Sequence, residues 1–272
     1  MKGVILAGGS GTRLHPLTRI TNKHLLPIYD RPMVTYAIEA LVGAGITEIM
    51  LVTGGTHAGE FLRLLGNGHE YGIDRLLYAY QDRPGGIAEA LGLAERFADG
   101  DRVLVMLADN VLERSIRPLV EHFQRQPAGA RLLLARVDDP AHLRNLGVPE
   151  FNAGGRTREA TASGDPGEHG GSPSAEQPYG RVTRIVEKPA DPPSRFAVTG
   201  IYCYEASVFE VIPTLKPSAR GELEITDVNN WYVQRGLMEY DVLEGFWGDA
   251  GESIDAYYLV NDFVRRHGAN KG

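Results

Sequence analysis

The chain has 272 residues, 35 Asp and Glu against 28 Lys and Arg, a formal net charge of −7, and 43% hydrophobic residues. That is the make-up of an ordinary globular chain long enough for a sizeable core, and it speaks against a generic nucleic-acid or anionic-membrane binder. The single cysteine, Cys203, excludes an intrachain disulfide and suits a reducing compartment. With no signal-like leader and no long apolar run, the expected location is cytoplasmic, with neither nucleic acid nor membrane as partner.

Val4–Leu6 reads as a buried strand that breaks at once into Gly8-Gly9-Ser10-Gly11-Thr12-Arg13. Pro32 is expected to open an amphipathic helix that runs to Ala44 and stops at Gly45. Strands follow at Ile49–Val52, Leu76–Tyr80 and 102–107, with helices marked by Phe61 to Leu65 and by Ile87 to Phe97. Alternation of this kind predicts a doubly wound α/β sheet with crossover helices. The second half is less regular: strands at Leu132–Val137, Val182–Val186 and Val198–Tyr204, a helix from Glu224, and a last helix from Ser253 to Arg266. Between them, 152–180 is dense in Gly, Ser, Pro and Glu and nearly free of large apolar residues, which predicts a mobile insertion between two strands.

The first glycine loop is either a phosphate cradle or an ordinary tight strand-to-helix turn. Glycines let the main chain approach phosphate oxygens with its N–H groups free, and Arg13 adds a guanidinium fork suited to phosphate. The Walker pattern fails because Thr12-Arg13 follows Gly11, and the dinucleotide pattern fails at Leu14. Asp109 stands just past the end of the buried strand, where ligands of parallel sheets bind, and is suited to a hard cation, or it merely starts a turn. Asp249 lies in a Gly-flanked turn and on its own reads more readily as a helix-start residue than as a ligand. Lys23 precedes the apolar Leu25-Leu26-Pro27, so it is a candidate for an inward-held charge. Glu187-Lys188 offers an acceptor for hydroxyls beside a point charge for phosphate. No paired histidines, nucleophile elbow or exposed cysteine supports zinc or covalent catalysis.

Seven segments together carry a resemblance. Leu6-Ala-Gly-Gly-Ser-Gly-Thr-Arg-Leu14, Lys23-His-Leu-Leu-Pro27, Gly85-Gly-Ile-Ala-Glu-Ala90, Leu107-Ala-Asp-Asn110, Val186-Glu-Lys-Pro189, Ala197-Val-Thr-Gly-Ile-Tyr202 and Arg220-Gly-Glu-Leu-Glu-Ile-Thr-Asp-Val-Asn229 resemble the sugar-1-phosphate nucleotidylyltransferases. The last of them points to the glucose-1-phosphate thymidylyltransferase branch. The resemblance implies a Rossmann-like mixed sheet with helices on both faces, plus a small sugar-binding subregion. It implies one domain over 1–272: a nucleotide half (1–130), a sugar-phosphate half (131–250) holding the insertion, and a C-terminal helix (251–272). It further implies a short form without an extra C-terminal helical tail, and a homo-oligomer, in particular a tetramer.

Carried over motif by motif, the resemblance implies that Leu6, Gly8, Gly9, Ser10, Gly11 and Thr12 wrap dTTP. Arg13 and Lys23 act on its phosphates, and Gln81, Pro84 and Gly86 read the base. Asp109 and Asp249 hold Mg²⁺, with Asp109 also at the nucleotide. Gly147, Glu187, Val198 and Tyr202 line glucose 1-phosphate, and Lys188 meets its phosphate. The implied activity is Mg²⁺-dependent transfer of a thymidylyl group by direct attack on the α-phosphorus. Departures from the usual motifs are Ala108 before Asp109, Leu146 at an aromatic position, His24 and Glu89 at Gln positions, and Ala250 with Glu252 after Asp249. The same chemistry with UTP or another hexose phosphate is an alternative, as is a non-catalytic sensor of nucleotide or sugar phosphate. The sensor reading is weakened by the presence of Arg13, Lys23, Asp109 and Asp249 together.

Overall fold

A computed structural model describes residues 1–9, 11–152 and 180–272. The first half lays down β1 (Lys2–Ala7), the short pair β2 (Pro27–Ile28) and β3 (Arg31–Pro32), then β4 (Glu48–Gly54), β5 (Arg75–Gln81), β6 (Val103–Leu107) and β7 (Asn110–Leu112). The second half supplies β8 (Ala130–Arg136), β9 (Gly147–Phe151), β10 (Val182–Glu187), β11 (Phe196–Tyr204), β12 (Met238–Val242) and β13 (Trp247–Asp249). A seven-stranded sheet runs in the order β12-β8-β11-β6-β1-β4-β5. Its strands are parallel except for β11, which opposes both its neighbours.

The pleat sorts side chains into two cores, because successive residues of a strand face opposite sides. Val4, Leu6, Val103, Val105, Leu132 and Tyr204 pack under α3 (Ile87–Gly92) and α8 (Ile225–Gln234). Ile5, Ala7, Leu104, Met106, Leu133 and Cys203 pack under α1 (Met33–Gly43), α2 (Ala58–Leu65) and α5 (Arg117–Arg125). Helices therefore cover both faces, as expected, and β6, with β1 from Val4 on, is apolar because these strands are central. Among the described residues, no helix is long and apolar enough to cross a membrane.

Several expectations need correction. The helix expected over Ile87 to Phe97 is two pieces, α3 and Glu95–Ala98, separated after Gly92, a weak helix former. Pro32 is not in the first turn of α1 but caps it with extended ψ. The strand at Val182–Val186 exists, but it pairs antiparallel with β9 in a separate ribbon rather than joining the main sheet. The strands flanking the insertion are thus partners; the insertion itself, 153–179, lies outside the described residues. Asp249 ends strand β13, which pairs antiparallel with β7, so the plain turn expected there is a second ribbon.

The last helix, Ile254–His267, buries Tyr257, Val260 and Val264 against Leu14, Ile28, Met33 and Tyr36. It begins where Ser253 Oγ accepts from the Ala256 N–H at 3.0 Å, and Arg265, Arg266 and His267 sit in its final turn, where a helix favours positive charge. Replacing Ser253 by Ala removes that cap and should lower stability by about 1 kcal/mol, while Ser253→Asp keeps it. Urea unfolding midpoints of the two variants check this; equal midpoints would show that the cap contributes nothing.

Candidate active site

The carboxyl ends of β1 and β6 face one cleft of about 340 Å³, a size suited to small molecules. Fifteen of the expected site residues line it: Leu6, Gly8, Gly9, Arg13, Lys23 and Asp109 with Asp249; Gln81, Pro84 and Gly86; Gly147, Glu187, Lys188, Val198 and Tyr202. Gly11 and Thr12 do not line it, and Ser10 lies outside the described residues. Gly11 instead stands in the left-handed region at φ 63°, turning the loop into the short helix that carries Arg13.

Lys23 enters the cleft from a 3-10 turn (Lys23–Leu25) started by Asn22, whose side chain accepts from the His24 N–H at 2.9 Å. Its ammonium donates to Asp109 Oδ2 at 2.5 Å. Burial works against the charged amine, but Asp109 and Asp249 outweigh it and hold the Lys23 pKa above its ordinary value. Burial likewise resists ionisation of Asp109, yet Lys23 beside it brings its pKa down to about 2. His24, 2% exposed, is pushed to about 3 by burial and by Lys23, so it is a neutral ring against the acid.

Asp249 behaves in the opposite way. Burial, and next the negative charge of Asp109, raise its pKa to about 7. The two acids are brought together by the β7–β13 ribbon, which sets Asp249 opposite Asn110, and by the Ala250 N–H, which donates to the Asp109 carbonyl at 2.9 Å. Asn110, 1% exposed, fixes this corner: its Nδ2 donates to Asp109 Oδ1 at 3.2 Å, while its Oδ1 accepts from Trp247 Nε1 and the Gly200 N–H. Gly251 has to be glycine, since a Cβ would sit 2.5 Å from Asp109 Oδ2 and 2.6 Å from Lys23 Nζ.

The second half supplies another lobe. Val198, Gly200 and Tyr202 come from β11, Gly147 from β9, and Glu187 from the end of β10. Glu187 Oε2 accepts from Thr226 Oγ1 at 2.7 Å, and Lys188 Nζ lies 3.5 Å from Glu187 Oε1. Burial, then Glu187 and the two aspartates, push the Tyr202 phenol up, so it is neutral. A third part of the lining is mostly apolar, with Leu6, Pro84, Ile87 and Ala90 beside the side chain of Gln81 among the lining residues.

Arg220, Glu222, Thr226, Asn145 and Trp247 also line the cleft without having been singled out for it in the sequence. Arg220 opens the segment Arg220–Asn229 that carries part of the resemblance, which assigned it no role at the site. Arg220 donates to both Glu224 oxygens at 2.9 Å. Asn145 and Trp247 follow no sequence signal; they meet there because Asn145 Nδ2 donates to Glu252 and His142 stacks on Trp247.

The raised pKa of Asp249 has a consequence for stability. On unfolding Asp249 returns to its ordinary value of 3.8, so the unfolded chain releases this proton first and the folded state is progressively penalised as pH rises from about 4 to about 7. Asp249→Asn removes that penalty. In the presence of a chelator, the thermal midpoint of the variant should exceed that of the parent by more at pH 8 than at pH 5; a gap independent of pH would refute the assignment.

The nucleotidyl transferase family model matches residues 2–267. A glucose-1-phosphate thymidylyltransferase of an Actinoplanes species is 42% identical over 97% of this chain and 78% of that protein. One from Neisseria meningitidis is 39% identical over 92% of this chain and 78% of its own length. A solved Bacillus anthracis protein, provisionally assigned as a glucose-1-phosphate thymidylyltransferase and bound to sucrose, superposes with a TM-score of 0.83 at 44% identity, covering 97% of this chain and 95% of that one. A UDP-glucose pyrophosphorylase complexed with UDP-glucose shares the fold, with a TM-score of 0.75 at 22% identity. A glycine loop with Arg13, the Asp109–Asp249 acid pair and the Glu187–Lys188 pair share one cleft, which agrees with these likenesses, and the chain belongs to the nucleotidyl transferase family, among its glucose-1-phosphate thymidylyltransferases.

Proposed function

We propose that the protein transfers a thymidylyl group from dTTP to α-D-glucose 1-phosphate, giving dTDP-glucose and pyrophosphate. The supporting observation is the division of one cleft into three chemistries: a cationic loop beside buried acids, an acceptor-and-lysine lobe, and an apolar slot with one amide. These suit a triphosphate, a sugar phosphate and a planar base. In this reading residues 1–130 carry most of the nucleotide's contacts and 131–250 those of the sugar phosphate, with Asp249 returning to the phosphates.

Both reactants are polyanions, so their repulsion has to be offset before a phosphate oxygen can reach phosphorus. Arg13 and Lys23 supply fixed positive charge in a partly desolvated cleft, where it acts more strongly than in water. Gly8 and Gly9 let the backbone close on the triphosphate, holding the α-phosphorus in line with the attacking oxygen. That oxygen belongs to the sugar phosphate and is already ionised at neutral pH, so no general base is required. As its bond to the α-phosphorus forms, the bond from the α-phosphorus to the β-bridging oxygen breaks, and pyrophosphate leaves with that electron pair. Glu187 Oε1 is available to accept from a sugar hydroxyl, its other oxygen being held by Thr226. Lys188 stands beside it for the sugar's phosphate.

A divalent cation fits this site. Asp109 and Asp249 are hard oxygen donors, and the high pKa of Asp249 reflects burial and the repulsion of Asp109, which a dication between them would relieve. Asp109 and Asp249 would hold Mg²⁺, which would supply positive charge against the triphosphate.

Pyrophosphate release tests the proposal. With Mg²⁺, dTTP and glucose 1-phosphate should give the highest kcat/KM in a matrix of nucleoside triphosphates and hexose 1-phosphates. Lys23→Ala and Asp109→Asn should each lower kcat by roughly 10²–10³ while the near-UV dichroism of the fold persists. A different preferred pair would reassign the substrates. Silence across the matrix with nucleotide binding retained would leave a sensor.

A further inference from the structure

The loop over 138–146 leads straight into Gly147 and β9, and Leu143 is its one buried residue. Leu143 packs only in a small cluster with Val137, Val148 and Ala197. Two polar side chains of this loop meet a single carboxylate from across the cleft. His142 Nε2 stands 2.7 Å from Glu252 Oε2, and Asn145 Nδ2 donates to Glu252 Oε1 at 3.3 Å. Glu252 thus spends one oxygen on each. It is itself firmly placed, directly before Ser253, which caps a last helix with its own core. The loop passes this restraint on to the lobe. The Leu146 N–H donates to the Leu143 carbonyl at 3.2 Å, and the Leu146 carbonyl accepts from the Lys188 N–H at 2.9 Å. Gly147 is in turn the register partner of Glu187. Four cleft-lining residues, Leu146, Gly147, Glu187 and Lys188, therefore lean on a segment with little core and one carboxylate grip.

We propose that Glu252 is a positioning residue for the sugar 1-phosphate, gripping His142 and Asn145 together and so setting the loop that presents Gly147 and Lys188. The inference rests on the sugar-phosphate reading of this lobe. Glu252 is one of this chain's departures from the usual motif, so the resemblance carries no role over to it. The acid three residues earlier does not depend on it. Asp249 is held by the β7–β13 pairing, by the Ala250 N–H on the Asp109 carbonyl and by the Gly251 N–H on its own Oδ1 at 2.8 Å. On the nucleotide side, Gln81 is fixed by a separate set of bonds to Gly86 and Glu89. Loss of the Glu252 carboxylate is therefore felt by the sugar phosphate, and not by dTTP or the metal-binding acids. Because the His142–Glu252 pair is partly exposed, its effect is on placement more than on stability.

Steady-state kinetics separate the two substrates: KM for glucose 1-phosphate at saturating dTTP, and KM for dTTP at saturating glucose 1-phosphate. The proteins are the parent, Glu252→Ala, Glu252→Gln, His142→Phe and the double variant E252A/H142F. E252A should raise KM for glucose 1-phosphate about tenfold, as expected for a lost charge-assisted bond. Its kcat and its KM for dTTP should stay within about twofold of the parent. E252Q, which keeps an oxygen for Asn145, should recover part of the loss. H142F keeps a ring for the stack on Trp247 but loses the pair, so it should raise the same KM, and should add little to E252A because both remove one contact. An unchanged KM for glucose 1-phosphate in E252A overturns the inference. Equal rises in both KM values, or a fall in kcat alone, overturn it as well, because they mark a general structural role. A parent inactive with dTTP and glucose 1-phosphate overturns the proposed function, and this inference with it.

Discussion

Everything at the carboxyl end of the sheet depends on keeping two carboxylates and an ammonium out of water. Removing one partner from such a buried pair costs about 3–5 kcal/mol, whereas replacing the whole group by apolar side chains is often neutral. The Lys23–Asp109 pair is therefore no device for stability. It constrains its surroundings instead: Gly251 must lack a side chain, Asn110 must hold the second oxygen of Asp109, and His24 must stay uncharged. Two acids and one amine leave the cluster short of positive charge, and Asp249 answers by holding its proton up to about pH 7.

The one antiparallel strand explains how a second lobe reaches the same cleft. Because β11 opposes β6, with Ile201 against Met106, its early residues lie beside the late end of β6. Val198 and Gly200 thus arrive beside Asn110, and the Gly200 N–H is captured by the Asn110 side chain. A parallel strand in that place would bring only its own carboxyl end to the crevice. Here the loop leading into β11 and the β9–β10 ribbon are brought to it as well, which is where Gly147, Glu187 and Lys188 reside.

The sequence was most readable where burial leaves a long apolar run. β1 and β6 sit between two covered faces, so their ends, and hence the glycine loop and Asp109, could be located directly. Asp249 could not be placed, because β13 is three residues long and its partner β7 is no longer. Asn110 reads as a turn residue for the same reason. β12 is an edge strand whose Glu239 and Asp241 pair with Arg131, so it shows polar alternation rather than an apolar run. α5 carries only Leu119, Val120 and Phe123 inward among charged neighbours, a stripe too thin to stand out. Lys23 lies between these cases: the apolar segment after it admits an inward placement, but an exposed lysine is the commoner reading, and the acid it meets is 86 positions away.

Distance along the chain also matters for how the lobes stay aligned. Gly147 follows a short helix, Pro140–Leu143, that has little core beneath it apart from Leu143. That helix is tied to the acid side of the cleft by His142, whose Nε2 lies 2.7 Å from Glu252, three residues after Asp249. Pairing with the Glu252 carboxylate raises the His142 pKa, with burial opposing, and the same pairing lowers that of Glu252. Both side chains are partly exposed, so the pair adds little to stability. Its consequence is geometric: together with the His142–Trp247 stack and the Asn145–Glu252 bond, it couples the loop bearing Leu146 and Gly147 to the turn bearing Asp249. Residues 142, 145, 247 and 252 thus join the two sides of the cleft.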